Sequence, residues 1–190
     1  IEKFALETEV PIIRPEMQSL LQTLFAIHQP KSILEVGTAI GFSALLMRQF
    51  APEGSRITTI EKYEKRIPIA HGNFERAAAD KNINLLEGDA MDILHELDGE
   101  YDFVFMDAAK GQYINFLPDV TRLLKKGGVL VSDNVLQDGD VVESRYAVTR
   151  RNRTIHSRMR DYLYELKHSD IFETTILNIG DGVTLSVKLK

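Results

Sequence analysis

Residues 172–189, FETTILNIGDGVTLSVKL, decide the fold of this chain. Two runs rich in β-branched residues, 172–177 and 183–189, flank a turn segment at 178–182 that contains Gly180, Asp181 and Gly182. The pattern predicts a β-hairpin, because Gly and Asp tolerate the backbone conformations of a tight reversal. A hairpin at this position adds one antiparallel strand to the sheet that the preceding chain forms.

Upstream of the hairpin, strand-like and helix-like segments alternate along the chain. Apolar or β-branched runs predict strands, and apolar periodicity predicts helices. The predicted strands are 32–36, 56–60, 83–86, 102–106 and 129–132, and the predicted helices are 11–28, 42–50, 64–81, 111–125 and 152–168. Such alternation is typical of right-handed βαβ units. We therefore predict an α/β, doubly wound, Rossmann-like fold with a mostly parallel seven-stranded sheet and one antiparallel strand from the C-terminal hairpin.

The composition limits the classes of function. At 190 residues the chain is long enough to bury a core, and we predict a single domain over residues 1–190. It contains no cysteine, which excludes disulfides and a cysteine nucleophile and is compatible with the cytoplasmic localisation that we expect. No apolar run approaches the ~18 residues of a membrane helix, so we expect no membrane partner. The net charge of -5 argues against nucleic-acid binding by the whole surface, but a local basic patch is still able to bind an acidic partner.

A glycine-containing turn, EVGTAIGFS at residues 35–43, follows the first predicted strand. Gly37 permits a tight turn, Gly41 permits a close backbone approach, and the helix that follows presents free N–H groups. The turn departs from the G-x-G-x-x-G pattern of dinucleotide enzymes at Ala39 and Phe42. Because S-adenosylmethionine has no pyrophosphate, this departure favours it as the cofactor over a dinucleotide.

Polar residues after the next two strands extend the predicted cofactor pocket. Glu61 follows the second strand, where its carboxylate is placed to accept both hydroxyls of a ribose. Asp89 and Ala90 follow the third strand, where they are placed to cover an adenine edge. Each feature alone is also typical of an ordinary turn or a solvated acid. The interpretation depends on their occurrence in order in one sheet.

Two further strands end in polar residues. Asp107 follows the apolar run FVFM, and Asp133 and Asn134 follow the run VLVS. Ligands of an open α/β sheet bind beyond the carboxyl ends of its strands, so these three side chains predict an oxygen-rich site for Mg2+. Lys110, one turn past Asp107, is placed to face the same point. Taken singly, these residues are also typical of a helix cap, a turn pair and a solvated lysine.

Five short motifs together resemble those of one enzyme family. They are EVG at 35–37, GFS at 41–43, DAAK at 107–110, DNV at 133–135 and GDGV at 180–183. They are similar to motifs of the cation-dependent O-methyltransferases of catechol and caffeoyl-CoA type, from about Val10 to the C-terminus. The resemblance implies the class I methyltransferase fold, a single S-adenosylmethionine-dependent methyltransferase domain, and Mg2+ as the metal.

The same resemblance implies a role for each site residue. Asp107, Asp133 and Asn134 take the positions of the metal ligands. Lys110 and Asp107 take the positions of the catalytic residues, with Lys110 as the general base. The cofactor-binding positions are those of Val10, Gly37, Thr38, Gly41, Ser43, Glu61, Asp89, Ala90 and Asp107. The catechol enzymes carry an aromatic residue between the aspartate and the lysine. Two alanines stand there in this chain, which argues against a catechol substrate.

The implied chemistry is methyl transfer from a sulfonium to an ionised oxygen. A divalent cation lowers the pKa of a bound hydroxyl and orients it for the displacement. Lys110 takes the proton only if the pKa of its own ammonium is lowered. We expect burial and a neighbouring cation to lower it.

An arginine-rich stretch stands out in this otherwise acidic chain. It contains Arg145, Arg150, Arg151, Arg153, Arg158 and Arg160. Arginine forks fit phosphate geometry, and Tyr146 and His156 are able to stack on an unpaired base. From charge alone, a solvated helix face that Asp161 and Glu165 partly neutralise is the better interpretation.

The segments 148–156 and 159–166 favour RNA instead, because they resemble one group within the family. This group comprises the bacterial enzymes that methylate 5-hydroxyuridine at the tRNA wobble position and so produce 5-methoxyuridine. The likeness implies the tRNA anticodon loop as the partner, and as RNA-binding residues Arg145, Arg150, Arg151, Arg153 and His156.

Two alternatives stay open. One is a small-molecule O-methyltransferase acting on catechol-like vicinal hydroxyls, and the other is a non-catalytic RNA- or nucleotide-binding module. In either enzyme reading we expect a homodimer, as is common in the family, with the helix at 11–28 and the hairpin burying surface.

Overall fold

The structure is a computed structural model of the chain, and it describes residues 1–7, 10–137, 139–144 and 146–190. By its internal contacts the chain divides into two compact units, Ile1–Glu96 and Leu97–Lys190. The single domain over residues 1–190 stays a prediction.

The first unit combines three parallel strands with helices. Its strands are β1 (Ser32–Val36), β2 (Arg56–Glu61) and β3 (Ile83–Glu87), and its helices are α1 (Glu2–Glu7), α2 (Pro15–His28), α3 (Phe42–Phe50), α4 (Ile67–Arg76) and α5 (Ala90–Glu96). In the parallel pairs, Val36 lies opposite Ile60, and Glu61 lies opposite Glu87. The carboxyl ends of the three strands therefore lie along one edge.

The second unit contains the other four strands. They are β4 (Tyr101–Met106), β5 (Leu124–Asp133), β6 (Phe172–Leu177) and β7 (Val183–Lys188), and the helices are α6 (Tyr113–Leu123) and α7 (Arg153–His168). Short 3-10 turns cover Lys110–Gln112 and Asp140–Val142. Strands β4 and β5 are parallel, whereas β7 runs antiparallel to both β5 and β6.

The strand order of the sheet is β3-β2-β1-β4-β5-β7-β6. The predicted fold class is therefore confirmed: a seven-stranded α/β sheet in which the C-terminal hairpin supplies the one antiparallel strand. The first hairpin strand has the predicted bounds, and the second ends at Lys188, one residue earlier than predicted.

The largest difference from the predicted elements lies in β5, which begins at Leu124 and not at residue 129, and therefore includes Gly127 and Gly128. Tyr101 pairs with Leu124, and Phe103 pairs with Val129. The pairing therefore advances by two residues along β4 but by five residues along β5. Gly127, at φ +79°, allows the extra residues to form a bulge inside the strand. The glycines at 127 and 128, which are typical of a turn in the sequence, therefore lie in an irregular part of strand β5.

The helices also differ from the predictions. Helix α2 buries Met17, Leu21 and Phe25, spaced one turn apart, and leaves Ile27 76% exposed. Helices α1 and α5 were not predicted, because each has only six or seven residues and too little periodicity. Within the described ranges, no helix has both the length and the apolar character needed to span a bilayer.

Candidate active site

The parallel pair of β4 and β5 brings the predicted metal ligands to one place. Met106, the last residue of β4, lies opposite Ser132, so Asp107 and Asp133 leave two adjacent strands side by side. Neighbouring strands are ~4.8 Å apart. Asn134 follows in the left-handed region at φ +55°, which Asn tolerates better than most residues. Two carboxylates and an amide therefore begin within one small region at the carboxyl end of this strand pair.

Lys110 lies in the same network. Its Nζ is 2.7 Å from Oδ1 of Asp107, 3.0 Å from the hydroxyl oxygen of Tyr113 and 3.4 Å from the carbonyl oxygen of Asp133. These three acceptors match the three donors of an ammonium. The structure thus places the predicted base beside the predicted metal ligands, as the sequence indicated.

Asp133 is a buried acid of this network, and the pKa of its carboxyl is raised. Burial raises the pKa of its carboxyl, and the negative charges of Asp107 and Asp181 raise it further. The ammonium of Lys110 and the N–H of Asn134, at 2.7 Å, lower it, and the resulting pKa is about 6. The region therefore holds more negative charge than its own lysine balances.

This charge balance and the donor set fit Mg2+. Asp107, Asp133 and Asn134 offer carboxylate and amide oxygens, and Mg2+ is commonly held by one or two carboxylates with water and substrate completing its shell. Among the described residues, no group of three or more His, Cys, Asp and Glu forms a metal cluster. The candidate site has only two acidic ligands, because its third ligand is an asparagine.

The pKa of Lys110 departs from our expectation. Burial lowers it as expected, but the oxygen of Tyr113 and the carboxylate of Asp107 raise it, and the net result lies above the ordinary value. In the metal-free protein burial alone therefore does not lower the pKa of Lys110, because the contacts with Tyr113 and Asp107 outweigh it. The lowering by a neighbouring cation stays a prediction.

Tyr113 is the residue of this network that the sequence reasoning missed. It is fully buried at the start of α6, and its hydroxyl also lies 3.0 Å from the carbonyl oxygen of Met106 and 3.2 Å from that of Asp133. A tyrosine in the first turn of a predicted helix is an ordinary core residue. The only signal in the sequence was its spacing of three residues from Lys110.

The C-terminal hairpin supports the segment that carries Asn134. The N–H of Val135 donates to the carbonyl of Gly182 at 3.0 Å, and that of Leu136 donates to the carbonyl of Asp181 at 2.9 Å. A Cβ on Gly182 would lie 2.2 Å from Cγ of Leu136. The GDGV motif at 180–183 is therefore a packing element behind the predicted metal ligands.

In the first unit, the glycine turn is held tightly between β1 and α3. The N–H groups of Gly37 and Thr38 both donate to the carbonyl of Ile60 at 3.1 Å. Gly41 has φ +82°, and a Cβ there would lie 2.5 Å from Cε1 of Phe74. The turn therefore requires glycine at 41 for both conformation and space.

Glu61 is joined to this turn. Its Oε2 accepts the N–H of Ala39 at 2.7 Å, and its Oε1 accepts the N–H groups of Lys62 at 3.0 Å and Tyr63 at 2.8 Å. These bonds hold the carboxylate at the end of β2 against the turn after β1. A ribose bound here would share the carboxylate with these backbone donors.

The other predicted cofactor residues lie at several positions of the same unit. Thr38 is buried, with its Oγ1 2.6 Å from that of Thr59, and Ser43 is buried in α3. Asp89 precedes α5 and accepts the N–H of Met91 at 2.9 Å, so Ala90 is a helix start and not part of a loop. Val10 is half-buried.

The arginine-rich stretch is partly bonded to the second unit. Arg153 donates to the carbonyl of Val148 at 3.2 Å, and Arg158 donates to that of Gly111 at 3.1 Å. Arg150 and Arg151 are exposed ahead of α7. Arg145 lies outside the described residues.

His156 is not placed for base stacking. It is 3% exposed, and its Nε2 lies 3.1 Å from the carbonyl oxygen of Glu143. It lines a cavity of about 350 Å³ together with Glu143, Ser144, Ser157, Arg160 and Asp161. Tyr146, at 88% exposure, is an aromatic side chain of this stretch with a free face.

Comparisons with known proteins identify the family of this chain. The family model described as O-methyltransferase matches residues 5–189. The caffeoyl-CoA O-methyltransferase of Medicago sativa is 31% identical over 184 residues, covering 90% of this chain and 72% of that protein. The crystal structure of a candidate caffeoyl-CoA O-methyltransferase from Staphylococcus aureus matches with a TM-score of 0.91 at 34% identity, over 98% of this chain and 90% of that one. The O-methyltransferase of Bacillus cereus in complex with SAH matches with a TM-score of 0.86 at 26% identity, over 98% and 87%.

The chain therefore belongs to the O-methyltransferase family, as an S-adenosylmethionine-dependent O-methyltransferase of the caffeoyl-CoA and catechol type. The family recognised from the sequence motifs is confirmed.

Proposed function

We propose that this enzyme is a Mg2+-dependent methyltransferase that modifies the 5-hydroxyl of 5-hydroxyuridine at the wobble position of tRNA, giving 5-methoxyuridine. The proposal has two parts, the metal-assisted chemistry and the RNA substrate, which separate observations support. The homodimer and the cytoplasmic localisation stay predictions.

The metal part is supported by the strand ends. Asp107, Asp133 and Asn134 would hold the ion, and the two carboxylates face only one ammonium, that of Lys110, in this network. When bound, the ion lowers the pKa of a coordinated hydroxyl and orients it.

The protein's own residues supply the remaining steps. Lys110 accepts the proton of the substrate hydroxyl at Nζ only in its neutral form, which requires a bound cation to bring the pKa of its ammonium down from the raised value of the metal-free protein. Asp107 holds that lysine in place. The turn at 37–43 and Glu61 bind and orient S-adenosylmethionine. The ionised oxygen then attacks the methyl carbon in line with the C–S bond: the new C–O bond forms as the C–S bond breaks, and S-adenosylhomocysteine leaves as the neutral thioether beside the methyl ether. Holding the two reactants in line is worth up to roughly 7–11 kcal/mol in well-oriented systems.

One observation carries the RNA part of the proposal: the bond between Arg158 and the carbonyl of Gly111 at 3.1 Å. Gly111 directly follows Lys110, so the arginine-rich stretch lies against the turn that carries the base. A wobble base belongs to a single-stranded loop, and it reaches such a site without duplex opening. Since the net charge of the chain is -5, a local cluster of arginines is what an RNA backbone would require.

The test is methyl transfer from labelled S-adenosylmethionine, with Mg2+ or with a chelator, to two acceptors. One is tRNA that carries 5-hydroxyuridine, and the other is a simple catechol. We expect metal-dependent label on the wobble uridine and poor labelling of catechol. Efficient labelling of catechol with none on tRNA would overturn the substrate but leave the metal part standing. Equal labelling of tRNA with and without chelator would overturn the metal part.

A further inference from the structure

The buried tyrosine beside Lys110 has no part in the function described so far. The hydroxyl oxygen of Tyr113 lies 3.0 Å from Nζ of Lys110, 3.0 Å from the carbonyl oxygen of Met106 and 3.2 Å from that of Asp133. The N–H of Ala108 adds a fourth contact at 3.3 Å. Four polar groups from three chain segments therefore converge on one phenol oxygen.

The roles of these contacts follow from the chemistry of a phenol. Its hydroxyl has one proton, which it donates to the carbonyl of either Met106 or Asp133, and its oxygen accepts from Lys110 and Ala108. Met106 ends β4 and Asp133 ends β5. The hydroxyl thus joins the lysine to both strand ends from which the predicted metal ligands emerge.

Lysine needs such a contact because its side chain is long. Four rotatable bonds give it high conformational freedom, and a single ion pair to Asp107 leaves the direction of the remaining donors open. A misplacement of ~1 Å at a reacting group costs on the order of 100-fold in rate.

We propose that Tyr113 is a positioning residue of the methyl transfer. Its hydroxyl fixes Nζ of Lys110 relative to the ends of β4 and β5, and so sets the distance between the base and the reacting hydroxyl. This inference rests on the role of Lys110 in the proposed function.

The protein offers a matched control in Tyr162. Both tyrosines are fully buried, their rings pack edge to face with centroids 5.5 Å apart, and the hydroxyl of Tyr162 lies 2.6 Å from Oγ of Ser132. Tyr113→Phe and Tyr162→Phe therefore each remove one hydrogen-bonded hydroxyl from the same aromatic pair. Only the first removes a contact to Lys110.

The experiment compares both variants with the wild-type enzyme on the acceptor that the wild type methylates. For Tyr113→Phe we expect kcat to fall about 10- to 100-fold, with the KM of S-adenosylmethionine and of the acceptor within about twofold. For Tyr162→Phe we expect a similar loss of Tm and a kcat within about twofold. A kcat that falls equally in both variants, or in neither, would overturn the positioning role.

A second readout is independent of the acceptor. In wild-type protein and in Tyr162→Phe, the Lys110 ammonium should give a resolved NMR signal, assigned by its loss in Lys110→Arg. In Tyr113→Phe the signal should broaden through exchange with water. An unchanged signal would contradict the proposal even if tRNA proved not to be the substrate. Full activity of Lys110→Ala would instead overturn the base role in the proposed function.

Discussion

Met106 and Ser132 lie directly opposite each other in the parallel pair of β4 and β5, and both are fully buried. The residues that follow them, Asp107 and Asp133, are therefore spaced by the sheet and not by a loop. A site built on strand ends is held more rigidly than one built on loops alone. The distance between the two carboxylates is thus set by the sheet. We therefore expect substitution of either aspartate to weaken metal binding more than it lowers the stability of the fold.

Replacement of Asp133 by asparagine should weaken metal binding without unfolding the protein. The variant removes the carboxylate whose pKa is raised to about 6 and relieves its repulsion with Asp107 and Asp181. We expect at least about a tenfold loss in Mg2+ affinity and an unchanged or higher Tm without metal. Thermal shift across a Mg2+ titration measures both. Asp80→Asn, a change of an exposed acid elsewhere, is the control and should titrate like the wild type.

The metal-free enzyme should lose stability as the pH rises towards neutrality. The pKa of Asp133 is about 6 in the folded protein against an ordinary 3.8, so the folded state keeps this proton up to a higher pH than the unfolded state does. The stabilisation is complete below the ordinary pKa and is lost as the pH passes through about 6.

Denaturant unfolding with chelator at pH 5 and pH 7.5 measures this effect. The wild type should lose about 1 kcal/mol more than Asp133→Asn between these two values. An equal loss in both proteins would assign the pH dependence to other groups.

Substitution of Gly41 by alanine should destabilise the cofactor turn through a steric clash. The new Cβ would lie 2.5 Å from Cε1 of Phe74, and φ is +82°. Gly54 is the matched control: its φ is +81°, but a Cβ there would meet no atom within 4 Å. Gly54→Ala should cost only the backbone strain, about 1 kcal/mol, whereas Gly41→Ala should cost about 1–3 kcal/mol more.

Chemical denaturation gives both free energies of unfolding, and calorimetric titration gives the affinity for S-adenosylmethionine. The affinity should fall for Gly41→Ala alone. Equal effects of the two substitutions would show that strain, and not the contact with Phe74, sets the cost.

Removal of the exposed arginines ahead of α7 should weaken RNA binding specifically. Because Arg150 and Arg151 are exposed, their replacement by alanine should leave the Tm unchanged. We expect the KM for tRNA to rise at least about tenfold, with the salt dependence of binding reduced by about two phosphate contacts. Arg56→Ala with Lys126→Ala removes the same charge from other exposed positions and is the control. A tRNA KM that rises equally in both double variants would indicate a general charge effect only.

The sequence predicted the elements whose patterns are local. Strand β6, at Phe172–Leu177, and helix α3, at Phe42–Phe50, have the predicted bounds because β-branched runs, glycines and apolar spacing define them within a few residues. Strand β5 begins earlier than predicted because its pairing with β4 continues on both sides of a bulge that contains Gly127. The bulge depends on the pairing of two strands that are distant in the sequence, so a local sequence pattern does not predict it.

The candidate site shows the same division. The sequence predicted that Asp107, Asp133 and Lys110 lie together, because acidic residues directly after apolar runs mark strand ends and Lys110 follows one of them by three residues. The contact of Lys110 with Tyr113 and the burial of His156 were not found, since each depends on how α6 and α7 pack within their unit. In the sequence alone, a buried histidine among arginines looks the same as an exposed one.

The bonds from Val135 and Leu136 to Gly182 and Asp181 have a consequence for the order in which the enzyme matures. The segment that presents Asn134 gains its backbone partners only when the turn about 45 residues further along the chain has been synthesised and has folded back onto it. The proposed metal binding would therefore belong to the last stage of biogenesis. A nascent chain arrested at residue 177 should give no Mg2+-dependent protection from proteolysis, whereas one extended beyond residue 188 should.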